Sequence, residues 1–381
     1  MKPSMLFGRI PQSMERRTPA ALLAAGAIAL AAYVLLQLLA PERPIDQTEG
    51  MLEAAALMQQ ATRVTRAFCE SAGIEIDKEI DPNRTCLIGP ELTPLMTTLG
   101  HLDAKRTTTD PAMASLVVHL LMEADVSEGD TIAVGSSASF PAALIATLAA
   151  AEKMHVHPIV IISLGASTYG ATNPEFNLLD MYTLLLREGV FETPPAAVSL
   201  GGDEDIGGGF DPDLRTELET RIETAGFRFI SDSGLRRNVA TRMEVYGMTS
   251  GVNRVKAFVN TGGSYANLGT SSVALQLQPG LNTDVSLPPT SQRGVLFEMA
   301  AHGVPIIHLL FIRGLALRHG LTWDPIPLSQ PGEVELHADR PAKPNVVWFI
   351  GVPYLLITAI LLAAHCRSAS QRTQVSAELT L

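Results

Sequence analysis

The chain has 381 residues, of which 46% are hydrophobic and 18% are charged, a composition that excludes disorder throughout and indicates membrane segments. Its net charge is −11, and because residues 1–17 and 365–381 carry +3 and +1, the rest of the chain carries −15. Such an acidic body has no electrostatic footprint for a phosphate backbone, which argues against nucleic acid as a partner.

Two uncharged segments near the chain ends predict transmembrane helices, at residues 18–40 and 346–364. Each is close to the ~20 apolar residues that cross the hydrocarbon core of a lipid bilayer. A cleaved signal peptide is the alternative for the first segment, but Leu39 and Ala40 lead straight into Pro41 instead of a small-x-small cleavage site. A buried core helix is the alternative for the second segment.

Basic residues near these segments predict the orientation of the chain. Residues 1–17 hold four basic side chains, whereas Arg43 alone follows the first span closely. Arg367 and Arg372 follow the second span. By the positive-inside rule, both tails are cytoplasmic and residues 41–345 lie outside, in a multi-pass protein of the cell membrane.

The first external part, residues 41–109, is predicted to form a stalk helix over Met51–Ser71 and a connecting region with a short helix near Leu92–Leu99. Cys69 and Cys86 in this part are candidates for a disulfide, since disulfides persist in external compartments. A pair of free, partly buried thiols is the alternative.

Residues 110–324 alternate between short apolar runs and helical patterns, which predicts a three-layer α/β domain around a mostly parallel sheet. The predicted strands are Thr131–Val134, Ile159–Ser163, Ala197–Leu200, Phe227–Ser231 and Val255–Asn260. The predicted helices between them are Ala142–Met154, Phe176–Arg187, Asp213–Ala225 and Arg237–Tyr246.

The apolar run Val304–Leu317 contains His308 and Arg313, which favours a buried strand or helix over a third span. Residues 325–345 contain five prolines and are predicted to form a stiff linker back to the membrane.

Ligands of parallel sheets bind outside the carboxyl ends of the strands, so the loops after the predicted strands are the candidate sites. The first loop, residues 135–141, has Ser136 and Ser137 before a helix, where a serine can cap the helix, bind an anion or act as a nucleophile. The G-x-S-x-G elbow is absent, because Ser139 stands where the second glycine would fall. The second loop, residues 165–176, is predicted to be a turn.

The third loop, residues 201–213, is acidic and rich in glycine. Its weak candidates for cation ligands are Asp203, Asp205 and Asp211, and calcium is the ion that an external, oxygen-rich loop would take. The register of an EF-hand is missing, because a glycine and a leucine fall at ligand positions when Asp203 is counted first. A solvated acidic loop without metal is the favoured interpretation, and no other cofactor is predicted.

The fourth loop, residues 261–269, has two adjacent glycines that allow the backbone to approach a ligand closely. A serine and an asparagine after them add groups that could hold a carboxylate or a phosphate, although a tight turn is the alternative. The loop is not a Walker loop, because no lysine follows the glycines. The predicted ligand site combines the first and fourth loops in Ser136, Ser137, Gly262, Gly263, Ser264 and Asn267.

Four strings in these loops carry a resemblance to a known family: GSSASFPA (135–142), IISLGASTYGATNPEF (161–176), SLGGDEDIGGGF (199–210) and NTGGSYANLG (260–269). They resemble the poly-γ-glutamate system protein family over roughly residues 50–320. The resemblance implies a membrane-anchored accessory protein, encoded with the poly-γ-glutamate ligase and its membrane partner. It carries over no catalytic residues, so it implies a pathway and partners rather than a reaction.

Two functions fit these features. In the first, the chain is an accessory component of poly-γ-glutamate synthesis or export, and its external domain binds the polymer or the synthase partners. In the second, the domain is a serine-dependent hydrolase or transferase that acts on γ-glutamyl polymer through Ser136, Ser137 or Ser264. The sequence has no recognisable Ser/His/Asp set or zinc motif, which leaves enzymatic activity undecided and favours the first function. Because poly-γ-glutamate keeps free α-carboxylates, local donors or cations would have to offset the negative charge of the domain.

Overall fold

The computed structural model describes residues 26–34, 44–249, 254–338 and 351–359. Residues 44–337 form one compact unit. Outside it, the described residues are two helices, α1 (26–34) and α12 (351–359), and Ala338. Among the described residues, no helix has both the length and the apolar character needed to cross a bilayer. The predicted tails and the remaining parts of the predicted spans lie outside the described residues.

The elements of the compact unit are listed here in chain order. They are α2 (Glu49–Ala72), β1 (Met96–Thr98), α3 (Leu102–Thr108), α4 (Ala112–Glu123), β2 (Thr131–Ser137), α5 (Pro141–Lys153), β3 (His157–Ser163), β4 (Ala166–Ser167), α6 (Leu178–Arg187), β5 (Ala197–Ser199), β6 (Gly201–Gly202), β7 (Ile206–Gly208), α7 (Pro212–Thr224), β8 (Phe229–Ile230), α8 (Leu235–Val245), β9 (Val255–Asn260), α9 (Tyr265–Leu268), β10 (Gly280–Asn282), α10 (Val295–Ala301), β11 (Ile306–His308) and α11 (Ile312–His319).

A seven-stranded sheet organises this unit, in the order β10-β11-β9-β2-β3-β5-β8. Every neighbouring pair is parallel except β10 with β11, so the predicted mostly parallel α/β sheet is confirmed. Two short pairs lie outside this sheet, β1 with β4 and β6 with β7. The chain runs from β2 outward through β3, β5 and β8, and then returns to the other side of β2 for β9 and β11.

The sheet has an apolar core on each face, because successive side chains of a strand point to opposite sides. Ile132 and Val134 of β2 belong to one core, which also contains residues of α2, α4, α5 and α6. Ala133 between them belongs to the other core, together with residues of α8 and α10. Burial on both faces explains why the strands are continuous apolar runs, and two opposed cores fit a three-layer arrangement.

Most elements of the sheet form close to their predicted bounds, but two regions differ. The run Val304–Leu317 divides into β11 and α11, separated by Phe311 in a left-handed backbone conformation. The predicted short helix near Leu92–Leu99 is wrong, because residues 96–98 form β1 and pair with Ala166 and Ser167 of β4. The partner strand lies far away in sequence, so the local pattern could not indicate this pairing.

Helix α2 belongs to the compact unit and is not a projecting stalk. Its apolar side, which includes Met51, Ala54 and Met58, is buried against α4 and α5. Thr48 caps the helix by accepting a hydrogen bond from the Met51 N–H at 3.3 Å, and Gly73 ends it with a left-handed backbone. Helical spacing correctly predicts this helix but cannot indicate which surface its apolar side contacts.

The compact unit, residues 44–337, extends beyond both ends of the predicted α/β domain, residues 110–324. A disulfide joins Cys69 in α2 to Cys86, with the two Cα atoms 6.6 Å apart. The described part of the predicted linker packs on the same unit: Leu336 is buried, and its carbonyl accepts a hydrogen bond from the Ile45 N–H at 2.8 Å. Residues 325–337 are therefore a packed segment, and residues 339–345 lie outside the described residues.

Candidate functional site

A cavity of about 740 Å³ lies along the carboxyl edge of the main sheet. Its lining includes residues that end or follow β2, β3, β5, β9 and β11. The order of the strands reverses between β2 and β9, and such a switch point opens a crevice at the carboxyl edge of a parallel sheet. The cavity therefore occupies the place where the fold favours a ligand site.

All four loop strings contribute to the wall of this cavity. Their lining residues include Ser137 and Phe140 from the first string, Gly165 and Ser167 from the second, Gly202 and Phe210 from the third, and Gly263 and Ser264 from the fourth. Segments spread over residues 135–269 thus meet at one place.

The six predicted ligand residues divide into two groups. Those that line the cavity are Ser137, Gly263 and Ser264. Ser136 points to the opposite side of β2 from Ser137, and its hydroxyl donates to the Ser137 carbonyl at 3.3 Å. Asn267 is buried, and its amide lies against Gly135, where an added Cβ would be 2.8 Å from Oδ1. These two residues and Gly262, the other three of the six, are absent from the cavity lining and support the wall.

The two adjacent glycines of the fourth loop differ in the space around them. A Cβ added to Gly262 would lie 2.2 Å from the Ser137 nitrogen, so this glycine is needed for the contact between β2 and the loop after β9. A Cβ added to Gly263 would meet only Leu310, at 4.0 Å. Gly263 therefore borders open cavity space, whereas Gly262 is a packing position.

The serine hydroxyls of the predicted site also differ in their partners. Ser264 caps the short helix α9 by accepting a hydrogen bond from the Asn267 N–H at 3.3 Å. The Ser137 hydroxyl is buried and has no hydrogen-bond partner among the described residues. The hydroxyl lies against Gly262, where an added Cβ would be 2.3 Å from Ser137 Oγ, so Ser137 is part of the wall and its hydroxyl is covered by the fourth loop.

The three candidate cation ligands do not converge on one point. Asp203 is exposed at the cavity, and Asp211 caps α7 by accepting a hydrogen bond from the Asp213 N–H at 2.9 Å. Asp205 is buried and forms an ion pair with Arg242 at 2.6 Å. No group of three or more metal-ligating side chains occurs within the described residues.

A buried lysine stands directly behind the cavity wall. Lys105 of α3 is only 3% exposed, and its ammonium group lies 3.7 Å from the centre of the Phe140 ring. Its Nζ donates to the Ser139 carbonyl and lies 2.7 Å from the hydroxyl oxygen of Ser167. No carboxylate forms an ion pair with Lys105 in the described part of the chain, and burial lowers the pKa of its amine to about 7.

The sequence did not single out Lys105 or Ser167 as functional residues. Ser167 lies in the second loop, residues 165–176, which the sequence predicts to be a turn. The pattern of α3 gives no signal for Lys105, because a lysine in a short polar helix ordinarily faces solvent. The tertiary structure alone brings these two residues together.

Arg313 provides positive charge at the cavity. Its guanidinium lies 5.8 Å from the centre of the Trp323 ring, and both side chains line the cavity. Within the described residues Arg313 forms no ion pair with a carboxylate. Exposed and stacked on an aromatic ring, it is arranged to receive an anionic group from a ligand.

A buried histidine lies at the end of β11. His308 Nδ1 is 3.2 Å from Asn260 Nδ2 across the parallel pair formed by β11 and β9. Burial lowers the pKa of this imidazole to about 4, so the neutral form predominates at neutral pH. His308 is absent from the cavity lining and serves the packing beneath it.

The chain matches no protein-family model, no curated protein and no solved structure.

Proposed function

We propose that the chain is a membrane-anchored accessory component of poly-γ-glutamate synthesis or export, and that its carboxyl-edge cavity holds a glutamyl unit of the polymer. The observation that carries this proposal is the convergence of the four loop strings. The strings on which the family resemblance depends are distant in sequence, yet all contribute residues to one cavity. A resemblance concentrated on one cavity supports a shared ligand.

The chemistry of the cavity supports a small carboxylate ligand. Its volume of about 740 Å³ is within the usual range of roughly 300–1,000 Å³ for small-molecule sites. The N–H groups of the exposed Arg313 guanidinium are donors that a carboxylate could accept from. Such local donors offset the −15 charge of the chain between its tails, which at long range would repel an anionic polymer.

The proposed partners are the poly-γ-glutamate ligase, its membrane partner and the lipid bilayer. In this proposal residues 18–40 and 346–364 span the cell membrane, both tails are cytoplasmic, and the compact unit is extracytoplasmic. The disulfide between Cys69 and Cys86 supports an external location, because disulfides persist mainly in oxidising compartments.

The second candidate function, hydrolysis or transfer through Ser136, Ser137 or Ser264, lacks support at those serines. The Ser136 hydroxyl donates to a backbone carbonyl, and Ser264 caps a helix. Among the described residues, no side chain that could take a proton lies within hydrogen-bond distance of either hydroxyl. The same holds for the Ser137 hydroxyl. A nucleophile would have to be sought elsewhere in the cavity.

Calorimetry with a short γ-glutamyl oligomer tests the proposed ligand. The full chain in mild detergent should bind the oligomer, and Gly263→Val should weaken binding by about tenfold or more, or ~1.4 kcal/mol, because its side chain enters the cavity. Gly50→Val is the matched control, since Gly50 lies in α2 with open space around it and should leave binding unchanged. Absence of binding to the unmodified chain would overturn the glutamyl ligand.

Two experiments test the membrane context. Purification of the full chain in mild detergent should recover the ligase and its membrane partner; failure to recover either would contradict the accessory function. Glu204 is exposed in the acidic loop, so Glu204→Cys should react with an impermeant thiol reagent on intact cells. Reaction only after lysis would show that the compact unit is cytoplasmic.

A further inference from the structure

We infer that Ser167 and Lys105 form a nucleophile and general-base pair for acyl transfer at the wall of the cavity. The assignment of γ-glutamyl amides as the substrates rests on the proposed function, whereas the pair itself rests on geometry alone. The pair deepens the alternative of a serine-dependent hydrolase or transferase and moves its nucleophile to Ser167.

The two reacting groups are already in contact. Lys105 Nζ lies 2.7 Å from Ser167 Oγ, within the hydrogen-bond reach that a base needs to take a hydroxyl proton. Nζ also donates to the Ser139 carbonyl and faces the Phe140 ring. A neutral amine has two N–H groups, one for each of these contacts, so its lone pair remains for the proton of the Ser167 hydroxyl.

The surroundings of Lys105 favour the neutral amine that a base requires. Helix α3, which carries Lys105, packs against α5 and α11. The charged or titratable side chains on these elements and beside Lys105 are His101, Asp103, Arg106, Glu152, Lys153, Tyr169, Arg313, Arg318 and His319. None of them forms an ion pair with Lys105 in the described structure, and burial is the cause of its lowered pKa, near 7. A lysine poised at this value is matched to proton transfer at neutral pH.

Ser167 is held in place and reaches the cavity. Its backbone N–H donates to the Ser139 hydroxyl at 2.9 Å, and its residue pairs with Thr98 between β4 and β1. Space beside its hydroxyl depends on Gly100, where an added Cβ would lie 2.9 Å from Ser167 Oγ. Ser167 lines the cavity while Lys105 lies behind it, so a substrate meets the hydroxyl first.

The chemical step follows from these positions. Ser167 Oγ attacks the acyl carbon of an amide while its proton passes to Lys105 Nζ, giving a tetrahedral intermediate. The C–N bond then breaks, and the leaving amine takes the proton from the Lys105 ammonium. Water, or an acceptor amine, attacks the Ser167 ester while giving a proton to Lys105 Nζ. The bond between the acyl carbon and Ser167 Oγ then breaks, and Oγ takes that proton from the Lys105 ammonium, which releases the acyl group as an acid or a new amide and restores the serine hydroxyl and the neutral amine. Hydrolysis consumes one water molecule and yields an acid and an amine.

A fluorophosphonate probe on the full chain in mild detergent tests the pair. The Ser167 oxygen should displace fluoride from phosphorus, and peptide mass spectrometry should find the adduct on Ser167. The labelling rate should rise with pH through about 7, as Lys105 loses its proton. Lys105→Met should lower the rate by about a hundredfold or more, the range for loss of a general base. Lys78→Met and Ser71→Ala, both at exposed positions, are matched controls that should keep the wild-type rate.

Each outcome decides one assignment. Absence of labelling at Ser167 in the unmodified chain overturns the pair, as does a labelling rate that does not change between pH 6 and pH 9. The wild-type pH profile gives this answer even when Lys105→Met does not fold. Calorimetric binding of the γ-glutamyl oligomer without labelling overturns the pair and leaves the proposed function. Labelling without oligomer binding supports the pair and overturns the γ-glutamyl substrate.

Discussion

Two buried cations lie near the carboxyl ends of the strands, and their partners differ. Arg242 is 2.6 Å from a carboxylate oxygen of Asp205 and 2.7 Å from the Ser199 hydroxyl. Lys105 has a carbonyl, a hydroxyl and an aromatic ring around its amine, and no carboxylate among the described residues. The ion pair with Asp205 keeps Arg242 charged, whereas the surroundings of Lys105 favour its neutral amine.

This difference separates a structural role from a chemical one. The Arg242 and Asp205 pair joins α8 to the acidic loop and, through Ser163 and Ser199, to the ends of β3 and β5. It is fully buried and lies outside the cavity lining. Lys105 instead contacts three residues of the cavity wall, Ser139, Phe140 and Ser167. A buried cation without a counter-charge lowers stability, and its position beside a reactive hydroxyl gives that loss a functional reason.

Removal of the carboxylate from the paired site should have the largest effect. Asp205→Asn leaves the Arg242 guanidinium buried without a counter-charge, so the free energy of unfolding should fall by about 3–5 kcal/mol. Chemical denaturation of the full chain in mild detergent measures this change. The matched control is Asp203→Asn two residues earlier, which is exposed and should alter stability by no more than about 0.5 kcal/mol. Equal losses of unfolding free energy in the two variants would contradict a structural role for the Arg242 and Asp205 pair.

The unpaired site should make stability depend on alkaline pH. Burial lowers the pKa of Lys105 from 10.5 to about 7, so between these values the unfolded chain binds one proton more than the folded chain. Stability should therefore rise with pH across this window, by a few kcal/mol at most. Lys105→Met should abolish the rise, while Lys78→Met at an exposed position should keep it. A rise that persists in Lys105→Met would assign the effect to another group.

A third buried group should act at acidic pH, with a smaller effect. Burial lowers the pKa of His308 from 6.5 to about 4, so the unfolded state gains a proton first as the pH falls. Stability should decrease from pH 6.5 to pH 4, and His308→Gln should remove this part of the decrease. His302→Gln, which makes the same substitution at an exposed position, is the matched control. Identical profiles of the wild type and His308→Gln would contradict a buried neutral imidazole.

The smallest effect is expected from the hydroxyl beside Lys105. Ser167→Ala removes one acceptor from the ammonium form, so the pKa of Lys105 should fall further and stability should change by about 1 kcal/mol or less. Nitrogen NMR of labelled lysine in the full chain reports this pKa. Ser71→Ala at an exposed position should leave it unchanged. An unaltered pKa in Ser167→Ala would show that the two groups do not interact.

The sequence predicts the sheet edge better than the chemistry that lies there. Val255–Asn260 forms as predicted because a fully buried parallel strand is a continuous apolar run. Ser137 ends β2 and Gly263 follows β9, and both line the same cavity because the ends of parallel strands share one edge of the sheet. Lys105 precedes the first of these strands in a short helix, and its inward direction depends on the packing of α3 against α5 and α11. No local pattern carries that information.

For the same reason, the sequence does not indicate that the acidic loop is joined to α8. The sequence makes Asp205 a candidate calcium ligand, since aspartates close together in a loop suit a cation. Its actual partner, Arg242, lies in a helix 37 residues later, on the predicted element Arg237–Tyr246. Likewise, Ser136 and Ser137 are equivalent in the sequence pattern, and only the direction of β2 shows which of them faces the cavity.

The most direct test of the account is protection of the cavity by its proposed ligand. Leu99 lines the cavity and is 83% exposed, so Leu99→Cys in a Cys366→Ser background should react readily with a maleimide. A saturating γ-glutamyl oligomer should slow this reaction by about tenfold or more, and should not slow the reaction of Glu204→Cys, which is exposed outside the cavity lining. Equal rates with and without the oligomer at Leu99→Cys would contradict a glutamyl site in this cavity.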